Sequence, residues 1–401
     1  NKAPIGTYRG PGRFETDFFR ERLFDIAAEE LEIDRVEFRR RNLVTHQEMP
    51  YAIATISPVE RKENFDSGDY VNVFDHCLKE FGWEEKKQFN GELVDGLYHG
   101  LAISCFVEGG AAGPSENAKV QLLKDGSVDV YVGSTSVGQG VLTVLSQIAA
   151  DAMEIPIEKI NLYHGSTPFL KEGFGSYHSR STVMGGSAIL LAIKSLKKLI
   201  RETAAKRLNC GIRDIKIIDG FASAKGHPKI FLGELGVEIG SIEETFHNHQ
   251  HTYAGGTAAA HVTVDSLTGQ IELIDLLLVE DVGRIVNPLT LEGQAIGAVV
   301  QGLGGALLEQ MIYDENAQIL TSTLADYLLP QASNFPNIRV IMLENSPSPV
   351  NPLGIKGGGE GGILSMGGLM ANAVASALKE FDVQPNALPL SPTYIRNLVE
   401  K

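Results

Sequence analysis

Cysteine is scarce in this chain: Cys77, Cys105 and Cys210 are the three present, far apart and without a Cys-x-x-Cys pair. That excludes a disulfide framework, and equally an iron-sulfur cluster or zinc ribbon encoded here. A reducing cytoplasm is the expected setting. Basic residues are outnumbered, 35 Lys+Arg against 50 Asp+Glu, for a net charge of -15. No basic stripe with interleaved aromatics offsets this, so nucleic acid is not an expected partner. Long apolar runs are also missing. The uncharged stretches Gly293–Leu308 and Gly361–Leu378 reach at most the ~18-residue lower bound for a membrane span. Both are rich in Gly and Ala and lack interfacial aromatic and basic anchors, so they read as buried helices rather than membrane spans. Residue 1 is Asn, with no basic and apolar leader after it, and the start reads as a cut or processed end.

What is present is a chain of 401 residues, 43% hydrophobic, enough for a large core and more than one lobe. Apolar spacing predicts an amphipathic helix over Asp17–Glu32, carrying Phe18, Leu23, Phe24, Ala27 and Leu31. A short helix capped by Asp34 follows, with Arg39, Arg40 and Arg41 as a solvated face. Residues 45–67 read as a connector, and Tyr70–Phe81 as a helix. Strands are expected at Gly96–Phe106, Ala118–Leu123, Ser127–Val132, Gly256–Val264 and Gln270–Glu280, with a hairpin at Asp125-Gly126. Helical patterns cover Val141–Met153, Gly186–Leu208, Leu291–Leu308 and Gly362–Leu378. The texture is α+β. The 43 glycines exceed the ~7% norm and imply many close backbone approaches.

Five polar segments could carry chemistry. In Lys356-Gly-Gly-Gly-Glu-Gly-Gly362 one carboxylate, Glu360, stands among five glycines before a helix. It is either a solvated turn or a base presented to a pocket walled by ligand and backbone. The loop lacks the Gly-Lys-Ser/Thr ending of a P-loop. The run Gly133-Ser-Thr-Ser-Val-Gly-Gln-Gly140 joins a strand to a helix, where Gln139 and the amides could hold a phosphate or polar heterocycle, or merely cap. Gly175-Ser-Tyr-His-Ser-Arg-Ser-Thr182 gathers hydroxyls around Arg180, suited to anionic oxygens. Tyr8-Arg-Gly-Pro-Gly-Arg13 puts Arg9 in a tight turn. Gln294 and Gln301 share one helix face two turns apart. His247, His249 and His251 alternate, but in a polar, turn-like stretch that reads as a solvated loop rather than a zinc site.

These segments, in this order and over nearly the whole chain, resemble the molybdenum subunit of the xanthine dehydrogenase and aldehyde oxidase family. TYRGPGRFE, GSTSVGQG, GSYHSRSTVMGG, LEGQAIGAVVQG and GGGEGG carry the resemblance. It implies an α+β molybdenum-cofactor-binding fold with mixed sheets and long buried Gly/Ala-rich helices. Residues 1–50 would end a first cofactor-binding domain and 51–401 form a second. The resemblance assigns Glu360 as catalytic base. Cofactor contacts fall to Arg9, Gly10, Gly138, Gln139, Gly140, Ser179, Arg180, Ser181, Thr182, Gly359 and Gln294, with Gln301 a second candidate beside Gln294. Pro11 and Phe106 would line the substrate pocket.

The chemistry implied is hydroxylation of an N-heterocycle, purine- or nicotinate-like, or oxidation of an aldehyde, with water as oxygen source; the alternative is a non-catalytic cofactor-binding or scaffold subunit of such a complex. Molybdenum would be held by the pterin dithiolene, in the cytosine dinucleotide form, with no protein metal ligand. [2Fe-2S] and FAD would sit on partner subunits; the family's preceding half would lie on a second molybdenum-domain chain, or else this chain is a fragment of a longer one. Gly10 stands where the carbon monoxide dehydrogenases of the family carry cysteine, which excludes the copper-sulfur variant. A helix N-terminus should depress the proton affinity of Glu360, and closure over an apolar substrate should raise it.

Overall fold

The computed structural model describes residues 4, 6–54, 63–335 and 337–400. Strands β1 (Leu93–Val94), β2 (Leu97–Gly110), β3 (Ser115–Leu122), β4 (Val128–Val132), β5 (Ile160–Tyr163), β6 (Ser241–His247), β7 (Thr252–Val264), β8 (Ile271–Asp281) and β9 (Ile338–Leu343) form two sheets. One runs β9-β8-β7-β2-β1, the other β6-β3-β4-β5. Within them β8–β9 and β4–β5 are parallel and the remaining pairs antiparallel. The chain passes between the sheets at 111–114 and again at 248–251. These crossings are tied together: Asn248 Nδ2 donates to Ala111 O at 2.7 Å, and its amide to Pro114 O at 3.0 Å.

Helices cover both sheets. They are α1 (Arg13–Glu30), α2 (Arg35–Asn42), α3 (Tyr70–Phe81), α4 (Val141–Met153), α5 (Gly186–Leu208), α6 (Pro288–Leu307), α7 (Gly361–Leu364) and α8 (Met366–Ala377). α4 and α5 pack on the four-stranded sheet, α6 and α8 on one face of the five-stranded sheet, and α3 on the other. The small residues of α8 have a geometric purpose. A Cβ on Gly100 of β2 would lie 2.0 Å from Ala373 O, so sheet and helix touch backbone to backbone. Among the described residues no helix is long and apolar enough to cross a membrane. The stretch 361–378 is indeed buried, but it breaks at Ser365 into α7 and α8.

The expected helix and strand cores are present, with two corrections near the start. In α1 the buried side includes Asp17, Glu21 and Arg22, while Leu23 and Leu31 are exposed. The apolar spacing misled because this helix faces α2 and α8 through ion pairs and amides: Arg22 Nη1 donates to Asn372 Oδ1 at 2.6 Å. Arg39 is likewise not on a solvated face. It is 1% exposed and pairs with Glu21 Oε2 at 2.7 Å and Asp25 Oδ1 at 2.7 Å. The Asp34 cap forms as expected, accepting from Val36 and Glu37 amides.

Candidate active site

Four loops and one helix face surround a cavity of about 630 Å³, within the range of small-molecule sites. Arg9, Gly138, Gln139, Ser179, Arg180, Ser181, Thr182, Gln294, Gln301, Gly359 and Glu360 all border it. Arg9 is the clamp. Its Nε donates to Gly359 O at 2.7 Å, Nη1 to Gln301 Oε1 at 3.0 Å, and Nη2 to Gln294 O at 3.2 Å. One guanidinium therefore fixes the N-terminal turn, the α6 face and the glycine loop, and both glutamines are engaged.

Glu360 is held from three sides. The Gly10 amide donates to Oε1 at 3.1 Å, the Ser179 hydroxyl donates to Oε2 at 3.2 Å, and Arg13 Nη2 stands 3.3 Å from Oε2. Burial opposes the charge, but Arg13 and the Gly10 N–H outweigh it and hold the carboxyl below its ordinary range. Its side chain makes no capping hydrogen bond to the short helix α7. The depression expected from a helix end thus comes instead from a cation and an amide reaching in from residues 10–13.

Ser179 meets Glu360 through an unusual backbone. His178 and Ser179 both have φ near +47°, a region that L side chains rarely adopt. Gly357 leaves room for this bend, since a Cβ there would lie 2.5 Å from Ser179 Cβ. Ser181 Oγ donates to Ser176 Oγ at 2.7 Å, linking this loop to 133–140 through Ser176 and Thr135. Gln139 folds back into its own loop, accepting from the Val137 amide at 2.7 Å and donating to Thr135 O at 3.3 Å.

Arg180 borders the cavity, yet its guanidinium is turned inward. It is fully buried, pairs with Glu116 Oε2 at 2.6 Å, and donates to the carbonyls of Ala112, Ser115 and Gly175. Its charge is balanced internally, so it serves as a brace between loops. Gly10, Gly140 and Pro11 flank the cavity without lining it. Phe106 lies elsewhere: its ring covers Gly256, where a Cβ would meet it at 2.1 Å, beside a separate cavity of about 340 Å³. His251 pairs with Glu63 Oε2 at 3.0 Å, and among the described residues no group of three metal-ligating side chains exists.

Arg13, Glu108, His178 and Glu280 belong to this neighbourhood and were not expected from the sequence. Glu108 is 0% exposed, and burial drives its carboxyl well above the usual range despite Arg13 Nη1 at 2.6 Å. Glu280 is 0% exposed, neither oxygen has a hydrogen-bond partner among the described residues, and burial pushes it up to about 8. Carboxylates inside strands whose neighbours are buried were the available signal.

The residues present fit a large, polar cofactor. Glycines at 357, 358 and 359 bare the backbone, amides and hydroxyls line the walls, and among the described residues no protein side-chain cluster competes for a metal. Comparison with known proteins agrees. Two molybdopterin cofactor-binding domain families match, over residues 76–336 and 1–43. The 6-hydroxypseudooxynicotine dehydrogenase complex subunit gamma of Paenarthrobacter nicotinovorans is 35% identical, over 98% of this chain and 51% of its own length. The nicotine 6-hydroxylase large subunit of the same organism is 30% identical, over 98% and 50%. Quinoline 2-oxidoreductase from Pseudomonas putida 86 superposes with a TM-score of 0.90 at 31% identity, covering 100% of this chain and 54% of that one. The chain spans about half the length of the relatives it matches.

Proposed function

Since the chain belongs to the molybdenum-binding subunits of the xanthine dehydrogenase and aldehyde oxidase family, we propose that it forms the cofactor-binding part of an enzyme that hydroxylates an N-heterocycle. Water would supply the oxygen, Glu360 the base, and [2Fe-2S] and FAD subunits the route for electrons. The observation that carries this reading is Glu360 itself, a carboxyl group bordering the cavity and held through both oxygens by the Gly10 amide, the Ser179 hydroxyl and Arg13. The named action of two similar proteins on nicotine and quinoline favours an N-heterocycle over an aldehyde. Residues 1–50 would complete a first cofactor-binding domain, with its remainder on a second molybdenum-domain chain in a cytoplasmic complex.

Arg9, Gln294, Gln301, Gly138, Gln139, Ser179, Ser181, Thr182 and Gly359 would hold a molybdopterin group, in its cytosine dinucleotide form, with Arg180 bracing the loop behind them. When bound, that group would supply the two-electron acceptor and activate a water-derived oxygen for transfer to the carbon. The chain's own contribution is a base held ready. Glu360 is ionised at neutral pH, so it accepts a proton without first losing one. The Gly10 amide and Ser179 hydroxyl keep its oxygens in place, which limits the reorganisation needed when the proton arrives. Arg9 ties its own turn to two other segments, α6 and the glycine loop, so the cavity wall on its side is rigid.

The test is native purification with metal, pterin and intact-complex mass analysis, followed by turnover on quinoline- and pyridine-type substrates. Stoichiometric molybdenum with Fe-S and flavin chains and hydroxylated heterocycle is the expected result. A mature complex lacking molybdenum, or one active on aldehydes alone, contradicts it.

A further inference from the structure

One guanidinium joins two carboxyl groups beside the cavity. Arg13 Nη1 lies 2.6 Å from Glu108 Oε2, and Nη2 lies 3.3 Å from Glu360 Oε2. The two acids are placed differently. Glu108, on β2, has a side chain 0% exposed, whereas that of Glu360 keeps 12% and borders the cavity.

Donors are divided unequally between them. Glu360 receives the Gly10 amide on Oε1 and the Ser179 hydroxyl on Oε2. Glu108 receives Arg13 on Oε2, while its Oε1 is buried and has no partner donor among the described residues. A buried anionic oxygen without a donor is strongly disfavoured. Glu360 is gripped by the same guanidinium as Glu108, and two carboxyls so placed relieve the conflict by holding one proton between them. That proton belongs on Glu108, the deeper acid with fewer donors.

The surrounding charges agree with this placement. Arg9 faces Glu360 from the N-terminal turn, and His178 from the 175–182 loop, its own proton affinity lowered by burial and by Arg13. Glu280, on β8, adds repulsion against a second anion at Glu108. Arg13, bridging from α1, favours the anion at both acids, but at Glu108 complete burial and the repulsion of Glu360 and Glu280 outweigh it.

We propose that Glu108 is a positioning residue that carries a proton shared with Glu360 across Arg13, and so sets the proton affinity and orientation of the base. In this arrangement the Glu108 hydroxyl donates to the Glu360 carboxylate, and Arg13 holds both in register. The proposal deepens the reading of Glu360 as base and rests on it for its kinetic arm alone.

Two measurements test it. In the assembled enzyme the acid limb of kcat/KM reports Glu360. Glu108→Gln keeps a neutral donor and leaves that limb in place, whereas Glu108→Leu removes the donor and moves it up by about one pH unit. If Glu108 were an anion balancing Arg13, Glu108→Gln would leave that cation uncompensated and shift the limb downward, which overturns the proposal. The second measurement is the infrared carbonyl stretch of a protonated carboxylic acid in the full chain at neutral pH. It should lose intensity in Glu108→Gln and keep it in Glu360→Gln; loss in Glu360→Gln instead places the proton on the wrong acid. This arm needs no turnover, so it stands if Glu360 is not the base, and it decides alone if Glu108→Leu fails to assemble.

Discussion

The backbone amide of Gly10 donates to Glu360 Oε1 at 3.1 Å, joining the first turn of the chain to a loop 350 residues later. Gly10 has φ near +60°, and a Cβ there would lie 2.7 Å from Leu364 Cδ2. Glycine is therefore required twice, by the backbone and by the neighbour. Gly10→Ala should push the turn off α7 and loosen its hold on the base. The expected outcome is a fall in kcat of roughly a hundredfold, the scale of an ångström-sized misplacement. Steady-state kinetics on molybdenum-replete enzyme checks it, and an unchanged kcat means the amide does not orient Glu360.

Arg9 makes its contacts as a planar fork: Gly359 O, Gln301 Oε1 and Gln294 O are reached from three different nitrogens. A lysine offers one point charge and cannot satisfy all three in this geometry. Arg9→Lys should leave secondary structure intact and lower the molybdenum and pterin retained per chain. Metal analysis after gel filtration measures this directly.

The buried Arg39 pairs with both Glu21 and Asp25. Removing the cation leaves Glu21 with Arg20 and Asp25 with Arg35 but takes away the fully buried partner between them, so Arg39→Met should lower the unfolding free energy by roughly 3 kcal/mol, the low end for breaking a buried pair. A lower urea midpoint at constant slope is the expected signature. A midpoint within error of the wild type would mean that Arg20 and Arg35 suffice to balance the two acids.

Glu280 predicts a pH dependence of stability. Burial raises its folded pKa to about 8, above the ordinary carboxylate value that the unfolded chain would show. Between those two values the folded state binds the extra proton, so stability falls as pH rises. Glu280→Gln has no proton to lose, so its stability relative to wild type should grow by up to a few kcal/mol from pH 5 to pH 8. Urea titrations at the two pH values decide it; a constant difference shows that Glu280 titrates normally.

Much of the site was legible because it is built from local signals. Glycines, hydroxyls and glutamines cluster within a few residues of one another, and the loops that hold Arg9, Gln139, Ser179, Gln294 and Glu360 meet as their ordered motifs imply. What escaped reading depends on contacts made across the fold. Glu108 enters the site through its position on β2, opposite Ala254 of β7, and Glu280 sits two strands from it on the same sheet. No spacing within 97–110 or 271–281 announces that meeting. Phe106 failed for a related reason, since its cross-strand partner Gly256 lets the ring lie flat over β7 instead of facing the cavity. Arg39 was misjudged because its partners belong to a different helix, and Arg180 because four acceptors converge on it from the 111–116 crossing and Gly175.

The central claim is that Glu360 acts as the base. The most direct measurement is turnover per molybdenum in Glu360→Gln, an isosteric change that keeps acceptor and shape but removes the proton-accepting charge. The account predicts normal molybdenum content with turnover lower by roughly two orders of magnitude or more. Full molybdenum content with undiminished turnover would contradict it.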